Sequence, residues 1–334
     1  MRAMRIAVIG GGRSSEHEVS LASAAAVRAG LIDGGHQVLA VEIKRDGSWR
    51  CDGKDVSLFP GPGQTLLGAE VVFPVLHGPF GEDGTLQGVL ETLDVPYVGA
   101  GVLASAVCMD KLVLKQLLAY SGVPQVDHCS VLERPWRERR EDLLGELKVL
   151  GLPVFVKPSR LGSSVGIAKA TTQAELEVAI ESALAFDPRV IVEAMATGLE
   201  VECSVIGTTQ PIASEPGEIV LAGDSDWYDY KAKYTSGAME LVVPARISAT
   251  AIERVKALAT QAFLLAGVSG LARADFFVDG EDVLLNELNT MPGFTETSVF
   301  SKLFEASGMG YSQLLDRLVE NAIERHRSEA NYKF

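Results

Sequence analysis

Apolar and polar residues alternate in blocks along the first third of the chain. A short run rich in Val and Ile at residues 4–9 ends in Gly10, Gly11 and Gly12, and a helix-like stretch follows from Glu18 to about Ile32. Apolar runs recur at 38–43 and 70–76, each closing on a loop. Strands alternating with helices predict a parallel α/β sheet, so this part reads as a Rossmann-like domain. From Met109 the pattern changes, and a helix over residues 111–120 stops at Ser121, Gly122 and Pro124. Residues 134–142 carry mixed charge and predict the solvated start of a helix that ends near Leu150. Residues 153–157 alternate as a strand, enter the polar loop VKPSRLGSSVG at 156–166, and resume at Ile167, Ala168 and Lys169. A helix over 172–186 places Leu176, Ile180 and Leu184 on one stripe. Strands at 189–194 and 200–206 flank the linker Met195, Ala196, Thr197, Gly198. The polar and aromatic segment at 222–237 is too long for a simple connector. Thr250 with Glu253 predicts a capping box for a helix to about Ala266, and residues 311–326 form a last amphipathic helix.

Residues 273–293, RADFFVDGEDVLLNELNTMPG, concentrate the most demanding side chains. Two apolar runs flank Asp279, Gly280, Glu281 and Asp282, a hairpin signature. A three-residue loop would set Asp275 opposite Glu287 and Arg273 opposite Asn289. A two-residue loop puts the acids on opposite faces, so facing acids require an odd loop or a bulge. Facing carboxylates repel unless a cation sits between them. Asp, Glu and Asn offer only oxygen, which suits magnesium or manganese rather than zinc. A surface hairpin with solvated acids satisfies the same pattern.

Composition narrows the classes. Hydrophobic residues make up 47% and charged residues 22% of 334, and no apolar run approaches the roughly 18 residues of a membrane span. The opening residues read as a first strand and not as a signal peptide, so the expected location is cytoplasmic. Length and pattern divide the chain into residues 1–110, 111–197 and 198–334. Cys51, Cys108, Cys129 and Cys203 are widely spaced, which argues against disulfides and against a zinc site. A net charge of −14 disfavours nucleic acid and anionic membrane as general partners.

Several loops carry candidate chemistry. Ligands of α/β sheets bind beyond the carboxyl ends of strands, where SSEHEVS (14–20) and HGPFGEDG (77–84) fall. Glu16 and Glu82 there could grip an ammonium group, although Ser14 or Ser15 could equally cap the helix with Glu16 favouring its dipole. His77 could be a structural donor. The glycines at 10–12 could let backbone approach a ligand, but they lack the dinucleotide fingerprint. Amides around Gly162, Ser163, Ser164 and Gly166 could wrap phosphate, with Lys157 adding charge. The 195–198 linker could present backbone to a base edge; Glu193 and Glu200 flank it, solvated or functional. Lys233 and Tyr234 are placed to cover something.

Together a lysine strand with a Ser/Gly lid, a backbone linker and an acid hairpin resemble the ATP-grasp fold, a two-lobed α+β nucleotide binder, here behind the Rossmann-like domain. HGPFGEDG, VKPSRLGSSVG, YDYKAKY and RADFF with NELNTMPGFTETS are similar, in order and over residues 10–298, to the D-alanine:D-alanine ligases. That resemblance implies ATP-dependent joining of two D-alanines through an acyl phosphate, for peptidoglycan precursor synthesis, by a homodimer. It implies phosphate contacts from Lys111, Lys157 and Lys233, adenine reading by Glu193, Ala194, Met195 and Ala196, and ribose binding by Glu200. Asp275, Glu287 and Asn289 would hold two Mg2+ ions, or Mn2+. Glu16 would bind the first D-alanine ammonium in a triad with Ser163 and Tyr234, with Ser164 in the lid. His77 and Glu82 would border that substrate, while Arg273, the Gly293 backbone and Ser298 would hold carboxylate or oxyanion oxygens. The chain departs from some relatives at Leu161 and at Glu296 and Thr297. Rival readings are a D-alanine:D-lactate or D-alanine:D-serine ligase, a nucleotide-sensing module without catalysis, and an NAD oxidoreductase. Tyr234 counts against the lactate form, whose members place histidine there.

Overall fold

The computed structural model describes residues 2–57, 66–162, 165–221 and 239–333. Ser163, Ser164, Lys233 and Tyr234 therefore lie outside the described residues. The N-terminal sheet runs in the order Lys54–Asp55, Trp49–Cys51, Gln37–Ile43, Arg5–Gly11, Val71–Pro74. Its centre is parallel as expected, but a short antiparallel meander extends one edge and makes the sheet mixed. The glycines at the end of the first strand serve packing. A Cβ on Gly10 would lie 2.6 Å from Ala24 Cβ, and one on Gly11, at φ +92°, would lie 2.4 Å from the Ile43 carbonyl oxygen.

Two antiparallel sheets follow. The central one orders His128–Leu132, Arg189–Ala194, Val154–Pro158 and Ala168–Ala170, and it packs Val154, Val156, Val190 and Val192 on the helix Gln173–Leu184 and on Trp136. The mixed-charge run forms two helices, Glu133–Glu138 and Arg140–Leu147, because Arg139 breaks the line at φ −143°. The C-terminal sheet orders Met239–Val242, Gly217–Leu221, Leu199–Gly207, Gly270–Asp279 and Asp282–Asn289, with Ile212–Ala213 beside Leu199–Gly207. The helix Ala249–Leu265 buries Ala251, Val255, Leu258, Ala259, Ala262 and Phe263 against it, a helical stripe. Ser248 caps this helix by accepting from the Ala251 N–H; Thr250 already lies inside the first turn, so the expected Thr250–Glu253 box does not form.

The last helix, Tyr311–Glu329, returns to the N-terminal sheet, where Leu314, Leu315, Leu318 and Val319 share a core with Ile6, Val8, Val71 and Phe73. Arg325 fastens the contact by donating to the Gly99 and Tyr97 carbonyls and to Ser269 Oγ, with its guanidinium 4.2 Å from the Tyr97 ring centre.

Candidate active site

The acid hairpin closes with a two-residue loop, Gly280 and Glu281, since Asp279 pairs with Asp282. Gly280 takes φ +59°, a conformation that glycine adopts without strain. On its own this loop would put Asp275 and Glu287 on opposite faces. A β-bulge at Asn286 shifts the register between Phe276 and Asp275, so Asp275 pairs with Glu287 and Arg273 with Asn289. The expected pairing holds, produced by a bulge in place of a three-residue loop. Phe276, Val283, Leu285 and Leu288 point into the core, leaving Arg273, Asp275, Glu287 and Asn289 on the opposite face.

That face lines a cavity of about 500 Å3, a size suited to a small ligand. Its walls bring together Glu16, His77 and Glu82 from the N-terminal loops, Lys111 and Lys157, residues 193–198 of the linker region, Glu200, and Gly293. Ser298 stays outside the lining. It lies behind Gly293, where its Oγ accepts from the Thr295 N–H at 2.9 Å.

The cations and anions are interleaved. Arg273 makes a bidentate contact with Asp275, both bonds 2.7 Å, and its Nε lies 2.9 Å from Glu202 Oε2. Asn289 Nδ2 donates to Asp275 Oδ2 at 2.9 Å. Lys111 donates to the Leu161 carbonyl at 2.9 Å and stands 3.6 Å from Glu287. Glu193 is not solvated; it is buried beside the linker, at the cavity wall, between Lys157, 2.5 Å away, and Lys115, 2.8 Å away. Burial disfavours its charge, but the two ammonium groups outweigh that and hold its carboxyl far below the usual range. Burial likewise opposes the Lys157 charge, and Glu193 followed by Glu287 more than compensates, raising its pKa.

At the other end, Ser14 does not cap the helix His17–Asp33, and Glu16 occupies the cap position with no side-chain capping bond to the helix N–H groups. Ser14 Oγ instead accepts from the Glu16 N–H and donates to the His77 carbonyl, tying the two ligand-facing loops together. His77 is buried, and burial lowers its pKa against the pull of Glu16; its Nδ1–H donates to the Met291 carbonyl, and its Nε2 lies 3.1 Å from Ser23 Oγ. Burial and then the charge of Glu16 push the Glu82 carboxyl up to about 8. Two acids facing one void, one of them forced toward neutrality, form a site for an added cation.

The oxygen donors fit a divalent ion held jointly with a ligand. Among the described residues no group of three His, Cys, Asp or Glu forms a metal cage. Magnesium is bound through one or two carboxylates completed by phosphate oxygens, and the cavity offers Asp275 and Glu287 with the Asn289 amide alongside. The backbone of the linker is partly engaged, since the Ala194 N–H donates to the Asp127 carbonyl and the Met195 N–H to the Pro153 carbonyl. Lys115 and Glu202 did not emerge from the sequence, although each had a trace: Lys115 is one turn from Lys111, and Glu202 alternates with Glu200 on the same strand face.

Solved structures with this architecture share both the fold and this arrangement of sheets. A D-alanine-D-alanine ligase from Coxiella burnetii superposes with a TM-score of 0.87 at 33% identity, covering 99% of this chain and 97% of its own. A D-Ala:D-Ser ligase from Enterococcus faecalis gives 0.85 at 34%, covering 96% and 100%. The protein is therefore of the ATP-grasp class, a two-lobed fold behind a Rossmann-like domain. Two family descriptions cover the chain: D-ala D-ala ligase N-terminus matches residues 5–62 and 54–100, and D-ala D-ala ligase C-terminus matches 117–320. A D-alanine--D-alanine ligase of Deinococcus radiodurans is 45% identical, covering 96% of this chain and 98% of the relative; one of Bacillus licheniformis is 41% identical, covering 98% of each. This chain belongs to the D-alanine–D-alanine ligase family.

Proposed function

We propose that the protein joins two D-alanine molecules at the expense of ATP, and that the cavity shared by Glu16, Lys157 and the Asp275–Glu287 hairpin is where it does so. The observation that carries this reading is a single void with an acidic end for ammonium, a lysine-lined wall for phosphate and an oxygen-donor edge for magnesium. No helix among the described residues is long and apolar enough to cross a membrane.

In this reading Glu16 takes the first ammonium, with Glu82 kept near neutrality so that the pair carries about one charge. The first D-alanine carboxylate attacks the γ-phosphate in line, the bond to the β-phosphate breaks with ADP as leaving group, and the carboxylate becomes an acyl phosphate. Lys111 and Lys157 neutralise the phosphates, the linker at 194–196 meets the adenine, and Glu200 meets the ribose. Asp275, Glu287 and Asn289 would hold magnesium, which supplies charge neutralisation at the transferring phosphoryl group. The second amine then attacks the acyl carbon, and phosphate leaves. Arg273 and the Gly293 amide, both in the cavity wall, would donate to the tetrahedral oxyanion. Ser163, Ser164, Lys233 and Tyr234 are assigned to covering this site on their family resemblance. Cytoplasmic peptidoglycan precursor synthesis and a homodimeric state complete the reading.

Phosphate release from ATP and magnesium, run against a panel of D- and L-amino acids, tests it. Release that depends on D-alanine, with the dipeptide as product, is the expected result. Absence of any D-alanine dependence would remove the proposal, and a preference for D-serine as second substrate would replace it with the activity named for the Enterococcus neighbour.

A further inference from the structure

The helix Lys111–Tyr120 carries two lysines on successive turns, Lys111 beside Leu161 and Glu287 and Lys115 against Glu193 of the central sheet. Lys111 lines the cavity; Lys115 does not, and it is only 2% exposed. Its Nζ lies 2.8 Å from one carboxylate oxygen of Glu193, whose other oxygen lies 2.5 Å from Lys157 Nζ. Only Lys157 of these two partners reaches the cavity wall.

This geometry poses a problem for Lys157. An ammonium pinned 2.5 Å from a buried acid can meet a phosphate oxygen only by loosening that contact. A carboxylate left buried without a cation is strongly disfavoured, so the acid would hold its lysine back. A second cation on the far oxygen removes the obstacle, because Glu193 stays paired whichever way Lys157 turns. Lys115 is fully enclosed and cannot itself serve the ligand.

We infer that Lys115 is a positioning residue for nucleotide binding: its ion pair with Glu193 satisfies the acid and releases Lys157 to the phosphates. The inference rests on the reading of the cavity as an ATP site. Without Lys115, Glu193 and Lys157 form a closed pair, and ATP must compete with it.

The test is calorimetric binding of a non-hydrolysable ATP analogue with magnesium, paired with ATP titrations of activity and thermal midpoints. Lys115→Met is expected to weaken analogue binding by about tenfold or more, the scale on which opening a buried ion pair is felt. The KM for ATP should rise more than kcat falls, and Lys115→Arg should restore affinity. Glu193→Gln added to Lys115→Met should bind more tightly than Lys115→Met alone, because the acid that retains Lys157 is gone. If Lys115→Met does not fold, Lys115→Gln reads the same loss with a polar head in the same space. A lowered thermal midpoint with wild-type affinity would make Lys115 a packing residue and overturn the inference, as would a double variant no tighter than the single. Failure of the wild-type protein to bind the analogue at all would overturn the nucleotide reading itself, and the Lys115 inference with it.

Discussion

Phe294 follows Gly293 directly and is fully buried, so its side chain tests whether the Gly293 backbone, proposed as an oxyanion donor, is located by the core beneath it. Its ring lies 5.7 Å from that of Phe73 in the N-terminal sheet, 5.1 Å from Phe300 and 6.3 Å from Tyr311, so three separate segments meet on it. Its backbone is held too: the N–H donates to Ser23 Oγ, and the carbonyl accepts from Tyr311 Oη–H at 2.8 Å. Phe294→Ala leaves a cavity that rigid strands and helices on three sides cannot close, so the expected destabilisation is about 4 kcal/mol, within the range for Phe→Ala in a core. Phe294→Leu keeps most of the volume and loses the ring-edge contacts, for about 1–2 kcal/mol. Urea unfolding followed by near- and far-UV circular dichroism measures both, with coincident transitions as the check on two-state behaviour. Under native conditions kcat should also fall for Phe294→Ala, by up to about 10²-fold, because a donor displaced by about 1 Å is felt on that scale. A loss below about 1 kcal/mol would show that the site collapses around the deletion, against the packing argument. A large stability loss with unchanged kcat in the folded fraction would show that Gly293 is positioned by something other than this ring.

Three further outcomes follow from the same contacts. Glu82 is held near 8 in the fold against an ordinary 4.5, so the unfolded chain loses this proton first and stability from this group falls as pH rises from about 4.5 to 8. The urea midpoint of Glu82→Gln should therefore gain on the wild type across that window, and a difference independent of pH would contradict the assignment. Arg325→Ala removes two hydrogen bonds and a ring contact between the last helix and the N-terminal region, and a third hydrogen bond to Ser269; a loss of about 2–3 kcal/mol is expected by thermal or urea unfolding, and less than about 0.5 kcal/mol would show that the helix docks on its apolar face alone. Glu287→Gln keeps the shape and removes one charge at the metal edge. D-alanine-dependent phosphate release should drop about 10²-fold or more at an unchanged thermal midpoint, whereas wild-type rates would take Glu287 out of the proposed role.

The order of strands and helices was legible because apolar periodicity reports burial, and burial here is mostly local in origin. The helix Lys111–Tyr120 and the strand Arg189–Ala194 fall where the pattern put them. What escaped depended on geometry that residue spacing does not encode. A two-residue loop at Gly280 and Glu281 predicts acids on opposite faces, and only the unpaired Asn286 brings them back together. Asn286 is an ordinary polar residue in an ordinary strand, so nothing in its identity announces a bulge. The Thr250–Glu253 spacing was a valid capping pattern, but Ser248 begins the helix two residues earlier and leaves that pattern no cap position to occupy.

The missed charges share one cause. A lysine or glutamate in a sequence is read as solvated, since the expense of burying it is avoided unless a partner is present. Here the partners arrive from distant segments: Lys115 and Glu193 are brought together by packing a helix on a different sheet strand, and Glu202 meets Arg273 across two neighbouring strands. Each pairing sets a second charged group against one that faces the cavity: Lys115 is enclosed behind Lys157, and Glu202 lines the cavity beside Arg273 and Asp275. Residues that contact a ligand directly can be found by their motif, because the ligand constrains their type and spacing. Residues that hold those contacts at the right charge are constrained only by the fold, and so they become visible only in three dimensions.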